Sequence, residues 1–145
     1  MDMSPKEYQE YLKRVNPRSP VGKNMVLAFL VGGAICCAGQ AIGDWYGYLG
    51  LGTQDAATAT SVTLVFLSAL LTGLGLYHRL ARYAGAGTLV PITGFANSVA
   101  SPAIDFRAEG IVTGTAVKMF TVAGPVIVFG TAASAVYGLI LWALG

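Results

Sequence analysis

The sequence predicts an all-α integral membrane protein, and three observations carry that prediction: long apolar runs, scarce charge, and basic residues gathered on one side of the first run. Of 145 residues, 54% are hydrophobic and 11% charged, against about 25% charged in an ordinary soluble domain, and the mean hydropathy is +0.62. One span uses about 20 residues. The chain therefore has room for three or four transmembrane helices, with an amphipathic N-terminal segment over 1–23 and one membrane domain over 24–145. The expected spans cover about 25–42, 61–80 and 122–144. A re-entrant or broken-helix segment, or a fourth span, lies between them around 84–121.

The N-terminal segment opens with Ser4-Pro5-Lys6-Glu7, a capping box with proline at the first helical position. Tyr8, Tyr11, Leu12 and Val15 then share one helical face, suited to lying on the membrane surface. A frayed tail is the plain alternative. Asn16-Pro17 and Ser19-Pro20 stop this helix.

The run Met25 to Ile42 follows, then Ser61 to Tyr77; each is long enough for a hydrocarbon core of about 30 Å. Trp45, Tyr46, Tyr48, Tyr77 and Tyr83 flank these runs, as interfacial anchors do. Lys13, Arg14, Arg18 and Lys23 precede the first span, Arg79 and Arg82 follow the second, and the connection from Asp44 to Thr60 has no basic residue. That asymmetry puts the N-terminus on the cytoplasmic side. His78 reads as an interface residue. Cys36 and Cys37 are adjacent within the first span and read as small apolar filler; they lack the spacing of a metal site. No metal and no cofactor is expected, and no basic patch with interleaved aromatics suggests nucleic acid. Paired intramembrane aspartates, a His-Glu metal motif and a Ser-His pair are all missing, so an enzyme is not expected.

Helices associate in lipid through close backbone approach and interhelical polar contacts. Small residues four apart mark candidate packing faces: Gly39, Gly43 and Gly47; Gly110 and Gly114; Gly130, Ser134 and Gly138. The second span carries a stripe of Ser61, Ser68, Thr72, Gly75 and Arg79, for which packing is favoured over pore lining.

From Leu89 to Ile104 the apolar pattern is broken by Pro91, Gly94, Asn97, Ser98, Ser101 and Pro102. Such a stretch fits a re-entrant or broken helix, tolerated only where freed backbone groups face protein or water. A crossing helix kinked at both prolines is the alternative. Asp105-Phe106-Arg107-Ala108-Glu109 then forms a charged turn, read as an interfacial loop or as charge near a pore mouth. Three fates are open to Lys118: snorkelling to an interface, pairing with Asp105 or Glu109, or facing an anion. Gly124-Pro125 is expected to break or bend the run before the last span.

Taken together, FLVGGAICCAGQ (29–40), SALLTGLG (68–75), AGAG (84–87), PITGFANS (91–98), DFRAEG (105–110) and KMFTVAGPVIVFG (118–130) resemble the SpoVAC family of stage V sporulation membrane proteins and the related SpoVAE type. The match covers nearly the whole chain. The resemblance implies a subunit of the SpoVA complex in the forespore and spore inner membrane, homo- or hetero-oligomeric with other SpoVA membrane and peripheral subunits. It implies movement of dipicolinic acid, largely as its calcium chelate, into the developing spore and out during germination, and mechanosensitive gating for AC-type members. A non-conducting scaffold subunit of the same complex is the alternative. Calcium dipicolinate is compact, planar and nearly neutral, so a path for it needs polar groups without a deep electrostatic well. Thr93, Asn97, Ser98 and Thr121 suit that need. Lys118 or Arg107 suits a transient carboxylate contact, and Asp105 or Glu109 suits calcium-bound water.

Overall fold

The computed structural model describes residues 4–15 and 20–145. It contains α1 (Pro5–Val15), α2 (Val21–Tyr48), α3 (Thr53–Gly73), α4 (Tyr77–Ala84), α5 (Pro91–Asp105) and α6 (Val117–Leu144). Short 3-10 turns cover Gly85–Thr88 and Arg107–Glu109, and a π-helical turn, Ile111–Ala116, leads into α6. Among the described residues there is no strand. Three helical stretches, Val21–Tyr48, Thr53–Gly73 and Ile111–Leu144, are long and apolar enough to cross a membrane.

The capping box at the start of α1 forms. Ser4 donates its N–H and its hydroxyl to Glu7 Oε2 at 2.9 and 2.8 Å, and the Glu7 N–H reaches Ser4 Oγ at 3.4 Å. The Ser4 backbone N–H, then its hydroxyl, hold the Glu7 carboxyl below the usual carboxylate range. Tyr8, Tyr11, Leu12 and Val15 are all exposed. The stop expected at Asn16-Pro17 and Ser19 lies outside the described residues.

Both early spans differ from their expected bounds. α2 begins at Val21 and runs to Tyr48, so the connection expected over Asp44 to Thr60 shrinks to 49–52. Charge at Asp44 does not end the helix, because Gln40 Nε2 donates to Asp44 Oδ1 at 2.8 Å one turn away. α3 ends at Gly73 rather than near residue 80, since Gly75 turns the chain at φ +68°, a conformation glycine adopts without a Cβ clash. His78 and Arg79 therefore belong to the separate helix α4, with both side chains exposed, and the stripe expected to reach Gly75 and Arg79 stops at Thr72. Tyr77 is not an anchor at the lipid surface: it is buried, and its hydroxyl donates to Thr88 O at 2.8 Å. Cys36 and Cys37 are exposed.

α2 and α3 form an antiparallel hairpin. A Cβ on Gly39 would lie 3.3 Å from Leu64 Cδ1 and one on Gly43 3.4 Å from Thr60 Oγ1, and Tyr46 Oη shares a 2.8 Å hydrogen bond with Thr63 Oγ1. α5 keeps the direction of α3. Ser68 bonds Thr93 and Thr72 bonds Asn97, both pairs 25 residues apart, so α5 lies parallel to α3. Continuing that register puts Pro91 beside Phe66, near the middle of the apolar run 61–77. From there α5 descends past the end of α3. Its 15 residues cover about 22 Å at 1.5 Å per residue, short of a bilayer core. The chain from α4 to Asp105 thus turns back beside α3 and runs out again along it, the path a re-entrant segment would take.

The turn that makes this reversal is wedged against α2. A Cβ on Gly87 would come within 2.5 Å of Ala28 O, and one on Gly32 within 3.3 Å of Gly87 O. α6 then packs antiparallel to α5, with Thr115 Oγ1 donating to Ala103 O at 3.3 Å. Gly124-Pro125 does not interrupt it. Pro125 sits inside a helix continuing to Leu144, and a proline in a membrane helix is tolerated where local adjustments and side chains re-satisfy the freed carbonyl. With its π-turn the segment has 34 residues, about 50 Å, so it must tilt or run past the interface.

Polarity is inverted relative to a soluble domain. The buried apolar residues are Ala56, Tyr77, Ala84 and Ala96, while Ser68, Thr88 and Thr93 are buried polar residues. Leucine, valine and phenylalanine face outward, where lipid rewards them and gives helices no reason to hide them.

Gly87→Ala is expected to destabilise the protein by about 1–3 kcal/mol through overpacking against backbone. Gly33→Ala, whose Cβ would meet open space, should be close to neutral. Thermal unfolding in detergent compares the two directly.

Candidate functional site

The most concentrated polar chemistry within the apolar layer is the seam between α3 and α5. Ser68 is 1% exposed and donates to the carbonyl of Thr93 at 2.6 Å. One turn on, Thr72 Oγ1 lies 2.7 Å from Ser68 O and 2.8 Å from Asn97 Oδ1, so one hydroxyl hydrogen serves two acceptors. Thr93 Oγ1 is buried with no partner. Thr93 and Asn97, both read from sequence as solute-path candidates, thus meet in one helix contact. Ser98 turns to its own helix, donating to Phe95 O at 2.8 Å. Thr121 does the same, donating to Val117 O at 2.7 Å, and is exposed.

Above the tip of α5, a groove of about 810 Å³ runs along the contact between α2 and α3. Gln40, Asp44, Thr60 and Ser61 give its walls polarity, and Val90 and Ile92 form its floor. Gly39, Gly43 and Gly47 also line it; the first two approach α3, and a Cβ on Gly47 meets nothing within 4 Å. Val90 supplies no side-chain cap to α5, and Pro91 occupies its first turn. The free N–H groups of that turn give the floor a positive partial charge. Gln40 and Asp44 are site residues that sequence reading did not single out. Their four-residue spacing is the available signal, hidden by placing Asp44 in a connecting loop.

The charged turn lies at the other end of α5. Asp105, Arg107 and Glu109 are exposed. Lys118 does not pair with Asp105 or Glu109; its Nζ stands 3.9 Å from the centroid of the Phe106 ring, a cation–π contact that offsets part of the cost of a charge near lipid. Gly110 takes φ +102°, and a Cβ on Gly114 would collide with Phe106 O, so this glycine pair shapes the turn into α6. A Cβ on Gly130 or Gly138 meets nothing within 4 Å, and every residue from Pro125 to Gly145 is exposed. Gly130, Ser134 and Gly138 therefore pack against no other helix among the described residues.

Residues 24–140 match the family model described as SpoVAC/SpoVAEB sporulation membrane protein. The chain belongs to this family. It is also 46% identical over 137 residues to the stage V sporulation protein AC of Bacillus subtilis (strain 168), covering 94% of this chain and 91% of that protein. No solved structure matches. Family membership makes this a sporulation membrane protein, in keeping with its three apolar helices, and the family is not one of known enzymes.

Thr72→Val removes the hydroxyl from the seam and leaves Asn97 without its partner. It should lower stability by about 0.6 kcal/mol and by no more than about 1.7, the mean and the maximum found for interhelical hydrogen bonds in a membrane protein. Asn97→Leu alone should cost a similar amount, and the double variant should cost less than the sum of the two. Unfolding titrations of the four proteins give that coupling.

Proposed function

We propose that this chain is a channel subunit of the SpoVA complex in the spore inner membrane, N-terminus in the cytoplasm. It moves dipicolinic acid, as its calcium chelate, into the forespore during sporulation and out during germination. The observation that carries this reading is the α5 tip ending inside the apolar layer at the floor of an open, partly polar groove. Half-helices with their N-termini at mid-membrane are a recurrent way of presenting positive partial charge to anionic groups in transporters. The groove is of the size that holds small molecules. Its Gln40 amide and the Thr60 and Ser61 hydroxyls suit a planar solute with weak net charge, and Asp44 suits calcium-bound water.

Two helices wall the groove and its side is open, and the outer half of α6 has no neighbouring helix among the described residues. Sister subunits therefore complete the path, with Gly130, Ser134 and Gly138 as their docking face. That arrangement also gives tension something to act on. A stimulus shifts an equilibrium only through a difference between its states, and a change in the spacing of α2 and α3 along the groove would change the area the protein occupies. The same observation favours the second reading, a scaffold subunit whose faces dock neighbours while another subunit conducts.

Calcium-dipicolinate efflux from liposomes, with and without applied tension, separates the two. For a channel subunit, reconstituted complex carrying Gln40→Leu or Asp44→Asn should release solute at least several-fold more slowly or faster than native complex, with assembly intact. Unchanged release from the assembled variants would support the scaffold.

A further inference from the structure

A second cavity, about 390 Å³, opens where the first turns of α2 meet the end of α4. We propose that it binds the headgroup of an anionic phospholipid, with Arg82 and Asn24 holding the phosphate. Arg82, Asn24 and Tyr83 supply its polar groups, and Met25 and Ala28 supply its apolar floor. Among the described residues no carboxylate lines it. The first turns of α2 and of α4 carry no acidic residue, so no described residue of the cavity neutralises Arg82. A guanidinium presents paired donors that match phosphate oxygens, and the Asn24 amide adds a donor from the opposite wall.

Position decides the source of the phosphate. Met25 begins the apolar run of α2, so the cavity lies at headgroup depth, and Tyr83, 74% exposed, stands where interfacial tyrosines do. The apolar floor is continuous with the lipid-facing side of α2, where Met25 and Phe29 are 67% and 79% exposed. A hydrated inorganic phosphate gains nothing from that strip, whereas an acyl chain lies along it. Lys23 on α2 and Arg79 on α4 add positive charge outside the cavity. Because the cavity spans α2 and the turn containing Gly85 and Ala86, a bound headgroup also clamps the turn that places Gly87 against Ala28.

The test is lipid binding by the purified full chain, with phosphatidylglycerol and phosphatidylcholine compared by native mass spectrometry and by thermal shift. Phosphatidylglycerol should bind preferentially, and Arg82→Gln should weaken it about five-fold, equivalent to about 1 kcal/mol for one basic residue near an anionic membrane surface. Arg79→Gln, outside the cavity, should have a clearly smaller effect. Should Arg82→Gln fold poorly, Asn24→Asp keeps the arginine and should lose the preference through repulsion of the phosphate. Equal losses from Arg79→Gln and Arg82→Gln, equal binding of phosphatidylcholine, or competition by inorganic phosphate would overturn the proposal.

Discussion

A helix that begins level with the middle of an apolar run leaves its first N–H groups without intrahelical acceptors and away from bulk water, and α5, with Pro91 beside Phe66, begins there. Its tolerance depends on the protein packed around it. Ser68 grips the Thr93 carbonyl at 2.6 Å, Thr72 joins the contact at Asn97, and Tyr77 ties down the approach through Thr88. Gly87 lets that approach lie against the backbone of α2 where a side chain would not fit. Each contact uses a small residue or a hydroxyl. Bulk would push the segment outward, and without the polar contacts its backbone would be left unsatisfied in lipid.

The same constraint explains the inverted interior. Leucine against leucine gains little over leucine against lipid, so the contacts that hold the fold are close backbone approaches and buried hydroxyls. A consequence is that the helices need not close around a core. The open groove on α2 and α3 and the exposed outer half of α6 leave surfaces for neighbours, which suits one subunit of a larger assembly. Polar groups of the groove and of the α3–α5 seam sit on either side of the α5 tip, so any change in how that tip is held alters both.

Legibility in the sequence followed the physics of each signal. Ser4 and Glu7 announce a capping box because that contact is local, whereas Pro91 reads as a break or kink and instead begins α5, whose first turn spares its missing N–H. Apolar runs revealed the spans, since length and composition suffice for them. Their ends were less legible: Asp44 reads as a loop residue unless its bond to Gln40 is known, and Pro125 reads as a break or a bend, of which the continuous helix excludes the break. The Ser68–Thr93 and Thr72–Asn97 contacts, the burial of Tyr77 and the approach of Gly87 to Ala28 join positions far apart in sequence, and composition carries no record of such pairings. Lys118 illustrates the same limit. Its carboxylate neighbours are obvious in sequence, yet the ring of Phe106 is what it meets.

The central claim is that the segment before α5 reaches the interior of the bilayer and returns to its own side. Immersion depth of a nitroxide at Leu89, which is 75% exposed, measures this directly when its collisions with oxygen and with a water-soluble paramagnetic complex are compared in reconstituted protein. The account predicts a depth close to the bilayer centre, much deeper than a label at Tyr83. A label at Leu89 as shallow as one at Tyr83 would contradict it.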